Sequence, residues 1–231
     1  MPVYIRYEDF EKKSSAEFRN QVNSTKIEIS KCENVLTRCD LSECTRVEKL
    51  SLKKNNQKPE SSSLAITKPL PSRINSLKII DSKLISLSHN AFENCCSNIT
   101  YLDLSGNLLT QLSQTIFNNC DNLVFISLAN NCLKALPNEI FNDCKKLKTL
   151  NLASNQLHHL DKGIFISCTK LRRIDLSKNL FSNLNDLVQN NLDEGIFRNC
   201  LKLERIDLSN NHISNLVRVF QNYFSLIFCS N

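Results

Sequence analysis

Tryptophan is absent from this 231-residue chain, methionine occurs once, glycine three times and histidine four times. Three glycines argue against a glycine-rich loop that would cradle a phosphate group. The histidines are His89, His158, His159 and His212, and no Ser-His-Asp or Cys-His arrangement can be built from them. His158 and His159 read as a solvated turn, so no catalytic residue, cofactor or metal site is expected and the chain is not read as an enzyme. Long apolar runs are missing too. No stretch approaches the roughly 18 apolar residues of a membrane span, and the most apolar segment, Leu216 to Phe228, is interrupted by Arg218, Gln221 and Asn222. The first ten residues lack the apolar core of a signal peptide. Charge of one sign is modest, with 29 Lys+Arg against 23 Asp+Glu, formally +6. Apart from Lys49, Lys53, Lys54 and Lys58 the cations are spread along the chain, whereas a nucleic-acid binder gathers them on one face. Nucleic acid is therefore not an expected partner.

What the chain does have is a phrase that returns. Ile99-Thr-Tyr-Leu102-Asp-Leu104-Ser-Gly-Asn107-Leu-Leu109 is followed by equivalents beginning at Leu123, Leu147 and Leu171, a spacing of 24 three times running. A fixed period of this size is the mark of a solenoid. Further starts fall at Val47, Ile74, Leu203 and Leu226. The alternation in Leu102/Leu104, Ile126/Leu128, Leu150/Leu152, Ile174/Leu176 and Ile206/Leu208 is that of a half-buried strand. Eight parallel strands at about 4.8 Å spacing would make a sheet roughly 35 Å across.

Other columns recur in the same register. Asn55, Asn107, Asn131, Asn155, Asn179 and Asn211 stand eight residues after each start, with Ser82 in the second repeat. A buried Asn must satisfy its amide, which the backbone of neighbouring turns can do. Leu87, Leu112, Leu136, Leu160, Leu184 and Leu216 follow, and then Phe92, Phe117, Phe141, Phe165, Phe197 and Phe220 read as a core spine. Cys44, Cys96, Cys120, Cys144, Cys168 and Cys200 each precede a start by three residues. Buried small hydrophobes are the favoured reading of this column, with stacked disulfides and metal ligation as alternatives. The adjacent pair Cys95-Cys96 does not supply zinc-ligand spacing.

The phrase L-x-x-L-x-L-x-x-N-x-L resembles the leucine-rich repeat family over residues 47–231, in its 24-residue form, including the ectodomains of Toll-like receptors. The resemblance implies an α/β solenoid: a horseshoe with a parallel concave sheet and an irregular or short-helical convex side. It divides the chain into 1–46, a divergent N-terminal region expected to act as a cap, and 47–231, about seven repeats and a truncated last one. Ile27-Glu-Ile29 suggests one more strand inside the first part.

The period breaks in two places. The step from 171 to 203 is eight residues too long, the excess falling around Asn185 to Leu192. It reads either as a tolerated surface loop or as a loop that meets a partner. Between Asn55 and Ile74, Lys58-Pro-Glu-Ser-Ser-Ser63 and Lys68-Pro-Leu-Pro71 suggest an open connection. At the other end, Phe220 to Asn231 starts a repeat and stops mid-phrase, and an uncapped apolar edge invites self-association.

The polar strand positions should line the concave face. Tyr101 and Phe125 are expected to be lateral neighbours there, as are Arg173 and Arg205, the latter partly neutralised by Asp175 and Asp207. Exposed aromatics among polar residues favour a binding hot spot, so these four are the candidate ligand-binding residues. Two glycosylation sequons start at Asn23 and Asn98. The expected function is non-enzymatic binding of another protein, in immune recognition or adhesion by resemblance; the alternative is an intracellular scaffold or adaptor. The first implies an extracellular protein or receptor ectodomain. The second, favoured by the missing leader and the unpaired-looking thiols, implies the cytoplasm.

Overall fold

The computed structural model describes residues 3–6, 26–30, 49–53, 64–182, 196–213 and 227–228. Ten of its twelve strands form one parallel sheet: β1 (Val3–Arg6), β2 (Lys26–Ser30), β3 (Lys49–Lys53), β5 (Ser76–Ile80), β7 (Tyr101–Asp103), β8 (Phe125–Ser127), β9 (Thr149–Asn151), β10 (Arg173–Asp175), β11 (Arg205–Asp207) and β12 (Ile227–Phe228). They lie side by side in chain order, so each circuit of the chain adds one strand. The centre of the chain is thus a parallel-sheet solenoid of about five closely similar turns.

The strands are short because only one residue of each need point inward. Leu102, Ile126, Leu150, Ile174 and Ile206 occupy that position and are all buried, while the flanking strand residues stay at least partly open, save Ser127. The chain then turns the same way every time. Asp81, Gly106, Asn130, Ser154, Lys178 and Asn210 adopt positive φ between 51° and 68°. This left-handed residue swings the next one, the ladder asparagine or, after Asp81, Ser82, into the interior.

The asparagine ladder runs unbroken from Asn107 to Asn211. Asn131 Nδ2 donates to the carbonyls of Leu104 and Leu128, each at 3.0 Å, and its Oδ1 accepts the Leu109 amide at 3.1 Å. Asn155 repeats this with Leu128, Leu152 and Leu133, and Asn179 with Leu152, Leu176 and Leu157. Each amide therefore bonds its own turn and the one before. Asn107 reaches further, accepting from both Ser82 and Leu84 amides, while the Ser82 hydroxyl donates locally to the Ile80 carbonyl.

On the side opposite the sheet the chain runs through successive tight turns, with no α-helix among the described residues. Phe92, Phe117, Phe141, Phe165 and Phe197 stack there in one column, with centroids 5.5 to 6.1 Å apart. Such pairs add about 0.5–1.5 kcal/mol each beyond burial.

Three expectations are corrected. Of the expected open connection, Lys58 to Ser63 lies outside the described residues, while residues 64–73 are a packed turn: β4 (Leu64–Ile66) pairs in parallel with β6 (Leu84–Leu87), and Ile66 and Leu70 are 2 % exposed. The prolines deny helix and ladder bonding, but the apolar residues between them still reach the core. The last strand is also set two residues earlier than the phrase implied. Ile227 pairs with Ile206 and Phe228 with Asp207, so the repeat starts at Phe224 in place of Leu226. The cysteine column, finally, is not uniformly reduced: Cys96 and Cys120 are joined as a disulfide, their Cα atoms 4.3 Å apart. The 24-residue period stacks the two positions on each other.

The N-terminal part continues the sheet. Ile27 pairs with Leu50, and Val3 with Ile27. Leu184, Leu216, Phe220, Asn55, Cys44 and most of the C-terminal segment lie outside the described residues, as does the extra stretch around Asn185 to Leu192.

Candidate functional site

The outward row of the sheet reads Ser76, Tyr101, Phe125, Thr149, Arg173 and Arg205, each the direct partner of the next. All four residues singled out from the sequence therefore stand in one line. Parallel pairing without slippage produces it, since the inward leucines lock every strand in the same register.

Tyr101 and Phe125 stack almost face to face, 4.4 Å between centroids and 4° between planes. Both are half-buried. The Lys78 ammonium sits 5.1 Å from the Tyr101 centroid, capping the outer end of the stack. Partial burial, followed by the Asp103 carboxylate, raises the Tyr101 phenol above its ordinary value of 10.0. The ring is thus a neutral hydrogen-bond donor at physiological pH.

At the other end Arg173 and Arg205 lie directly opposite each other and both are exposed. The expected neutralisation is only partial. Arg205 reaches Asp207 at 3.4 Å, but Asp207 Oδ1 is engaged by Ser209, as Asp175 Oδ1 is by Ser177 and Asp103 Oδ1 by Ser105. These Asp-x-Ser pairs end each strand by accepting both the hydroxyl and the amide of the serine. The carboxylates serve the turn first and the arginines second.

A feature invisible in the linear sequence lies at the entrance to the strands. Val124, Lys148, Arg172 and Glu204 follow one another through backbone bonds between adjacent turns, so Lys148 and Arg172 flank Arg173. Arg172 forms a close ion pair with Glu204. Cations scattered along the chain are gathered beside β9 to β11, and only the 24-residue period reveals it.

Asn98 is exposed, and its Nδ2 donates to the Ser72 carbonyl at 2.9 Å; Asn122 does the same to Ser97 at 2.7 Å. Asn98 thus links adjacent turns. Asn23 lies outside the described residues. His158 and His159 are exposed, with His159 beside Asp161.

The remaining column thiols are sequestered. Cys144 and Cys200 are pushed up to about 12 by burial, and Cys168 is raised further still. The sulfurs of Cys168 and Cys200 each approach the carbonyl of the phenylalanine one turn earlier, Phe141 and Phe165, at 3.9 Å. Thiols so placed are core residues without nucleophilic character. Among the described residues no cluster of three or more His, Cys, Asp or Glu could hold a metal ion, and no helix is long and apolar enough to cross a membrane.

Residues 85–226 match the family described as BspA type leucine rich repeat region, in six copies. No curated protein matches the chain in sequence. Among solved structures, InlP of Listeria monocytogenes is similar with a TM-score of 0.67 and 20% identity over 90% of this chain. Toll, in the Toll–Spatzle complex of Drosophila, is similar with a TM-score of 0.64 and 15% identity over 99% of this chain. The chain spans 53% of the InlP chain and 36% of the Toll chain. At such identities the likeness is one of fold.

Proposed function

The chain belongs to the leucine-rich repeat family, of the BspA type, and from that premise we propose that it is a non-enzymatic module that binds a protein ligand on the concave face of its sheet. Members of this family are generally protein-interaction modules. The observation that carries the finer reading is the stacked pair Tyr101–Phe125, left partly open to solvent on a polar sheet face and in register with Arg173 and Arg205. Aromatic and arginine anchors are what protein interfaces concentrate. The Toll neighbour is seen in the Toll–Spatzle complex, a molecular hub in Drosophila development and innate immunity, which supports a recognition role in immunity or adhesion here. The Cys96–Cys120 disulfide favours an oxidising compartment. The scaffold or adaptor reading draws on Cys144, Cys168 and Cys200, which stay reduced in the core.

The test places a photo-crosslinking residue at position 76, at the Tyr101 end of the row on the sheet face, and at position 162 on the opposite side as a control. The protein captured at 76 is then purified, and its affinity measured against a variant with Ala at 101, 125, 173 and 205. A loss of tenfold or more, about 1.4 kcal/mol, is expected; unchanged affinity overturns the reading.

A further inference from the structure

Across the sheet face the spacing of side chains is set by the strands, which lie about 4.8 Å apart. Tyr101 and Phe125 fill one such interval completely, their rings 4.4 Å apart. The next two members of the row are Thr149 and then Arg173. Threonine is too short to rise beside a phenyl ring. Phe125 and Arg173 therefore face each other over two strand spacings, roughly 9.6 Å, with Thr149 as the floor between them. A flat group placed midway would stand at about one stacking distance from both walls.

We propose that this notch above Thr149 receives one aromatic side chain of a partner polypeptide, held between the Phe125 ring and the Arg173 guanidinium. The inference rests on the reading that this face binds protein, and it adds the recognition element. The planar arginine guanidinium stacks on aromatic faces. The row continues to Arg205, opposite Arg173. Arg205 already reaches Asp207 at 3.4 Å; two cations directly opposite across strands still repel, and a carboxylate arriving between them adds to that neutralisation. The midpoint of the two arginines lies one and a half strand spacings from Thr149, roughly 7 Å. In an extended segment, residues i and i+2 point to the same side about 6.6 Å apart. The partner motif is thus an aromatic residue followed two positions later by Asp or Glu, running across the strands.

Charge decides between partner classes. A nucleobase would also stack in the notch, and Lys148 and Arg172 stand beside it, but Arg172 is paired with Glu204 and Asp103, Asp175 and Asp207 lie alongside the row. A polyphosphate carrying one charge per nucleotide would run against these carboxylates, whereas a segment with a single acidic side chain aimed at the arginines would not.

The experiment uses the full chain and labelled short peptides in titrations followed by fluorescence anisotropy. One peptide carries tyrosine two residues before glutamate, a second places them adjacent, a third has glutamine for glutamate, and a uridine hexamer stands for nucleic acid. Thr149→Phe fills the notch from within and extends the existing stack; Thr149→Ala leaves it open. The first peptide is expected to bind best, at least tenfold more weakly to Thr149→Phe, and undiminished to Thr149→Ala. The Thr149→Phe protein should keep the wild-type melting temperature, which separates notch filling from unfolding. Equal binding to Thr149→Phe and wild type overturns the proposal, as do indifference to the spacing, lack of saturable binding and tighter binding of the uridine hexamer. If the captured ligand is lost by the four-alanine variant yet retained by Thr149→Phe, the notch is wrong and the binding face stands. If both variants retain that ligand, the functional reading itself fails.

Discussion

Phe165 and Phe197 stack 5.5 Å apart with 8° between their planes, although the repeat joining them carries eight more residues than its neighbours. The phenylalanine spine therefore passes the irregular repeat without a gap, and the extra residues need not take part in it. Deleting residues 185–192 restores the 24-residue spacing. The melting temperature of that variant is expected to stay within a few degrees of wild type, the shift of about 1 kcal/mol or less in a domain of this size. A larger loss, read by calorimetry, would mean that the stretch is part of the core.

The ladder makes a sharper demand. Asn155 bonds the backbone of its own turn and of the preceding one at four points. Asn155→Leu keeps the branched outline and the number of side-chain heavy atoms, and removes every partner. Stability should fall by about 1–3 kcal/mol for each backbone group left unpaired, measured by denaturant unfolding. A wild-type midpoint would contradict the register on which the whole solenoid is built.

The left-handed column predicts a gain. Lys178 holds φ at 54°, a conformation that is strained by roughly 1–2 kcal/mol for a side chain with Cβ. Glycine at 178 relieves this while losing more backbone entropy on folding. A net stabilisation of up to about 1 kcal/mol is expected, without change in the circular dichroism spectrum.

The thiol column makes stability pH-dependent on the alkaline side. Burial raises the folded values of Cys144 and Cys200 from 9.0 to about 12, so the fold favours neutral thiols. Their contribution is fully present below pH 9 and is lost as pH rises toward 12, because the unfolded chain ionises first. Unfolding free energies measured from neutral pH to pH 11 should decline above 9, and less steeply for the Cys144→Ala/Cys200→Ala variant. A flat profile in wild type would show that these thiols are not buried.

Peptide mapping without reductant should recover Cys96 linked to Cys120 and leave Cys144, Cys168 and Cys200 free. Under native conditions a thiol reagent should modify half-buried Cys132 ahead of these three. Rapid labelling of Cys168 would contradict its place against the Phe141 carbonyl.

Much of this protein was legible in its sequence because a solenoid converts period into neighbourhood. Once 24 residues make one turn, Tyr101 must sit beside Phe125, and Arg173 beside Arg205. The inward leucines, the asparagine ladder and the phenylalanine spine follow from the same count. The N-terminal strand β1 was missed although Val3 precedes its partner Ile27 by one full period. The positions where ladder asparagines would stand hold Glu8 and Cys32 there, so the strongest column of the pattern is silent.

What only the tertiary structure decided was how neighbours divide their interactions. Asp175 and Asp207 engage the serines that end their strands before they meet any arginine, because a hydroxyl and an amide two residues away are held in place by the turn. Cys96 and Cys120 pair while Cys144, Cys168 and Cys200 do not, although the spacing treats them alike. The period says which residues meet; side-chain length and orientation settle which bonds they make, and Thr149 shows it most plainly. In the sequence it is one more polar strand residue. Between a phenyl ring and a guanidinium it is a gap, because it is shorter than both of its neighbours.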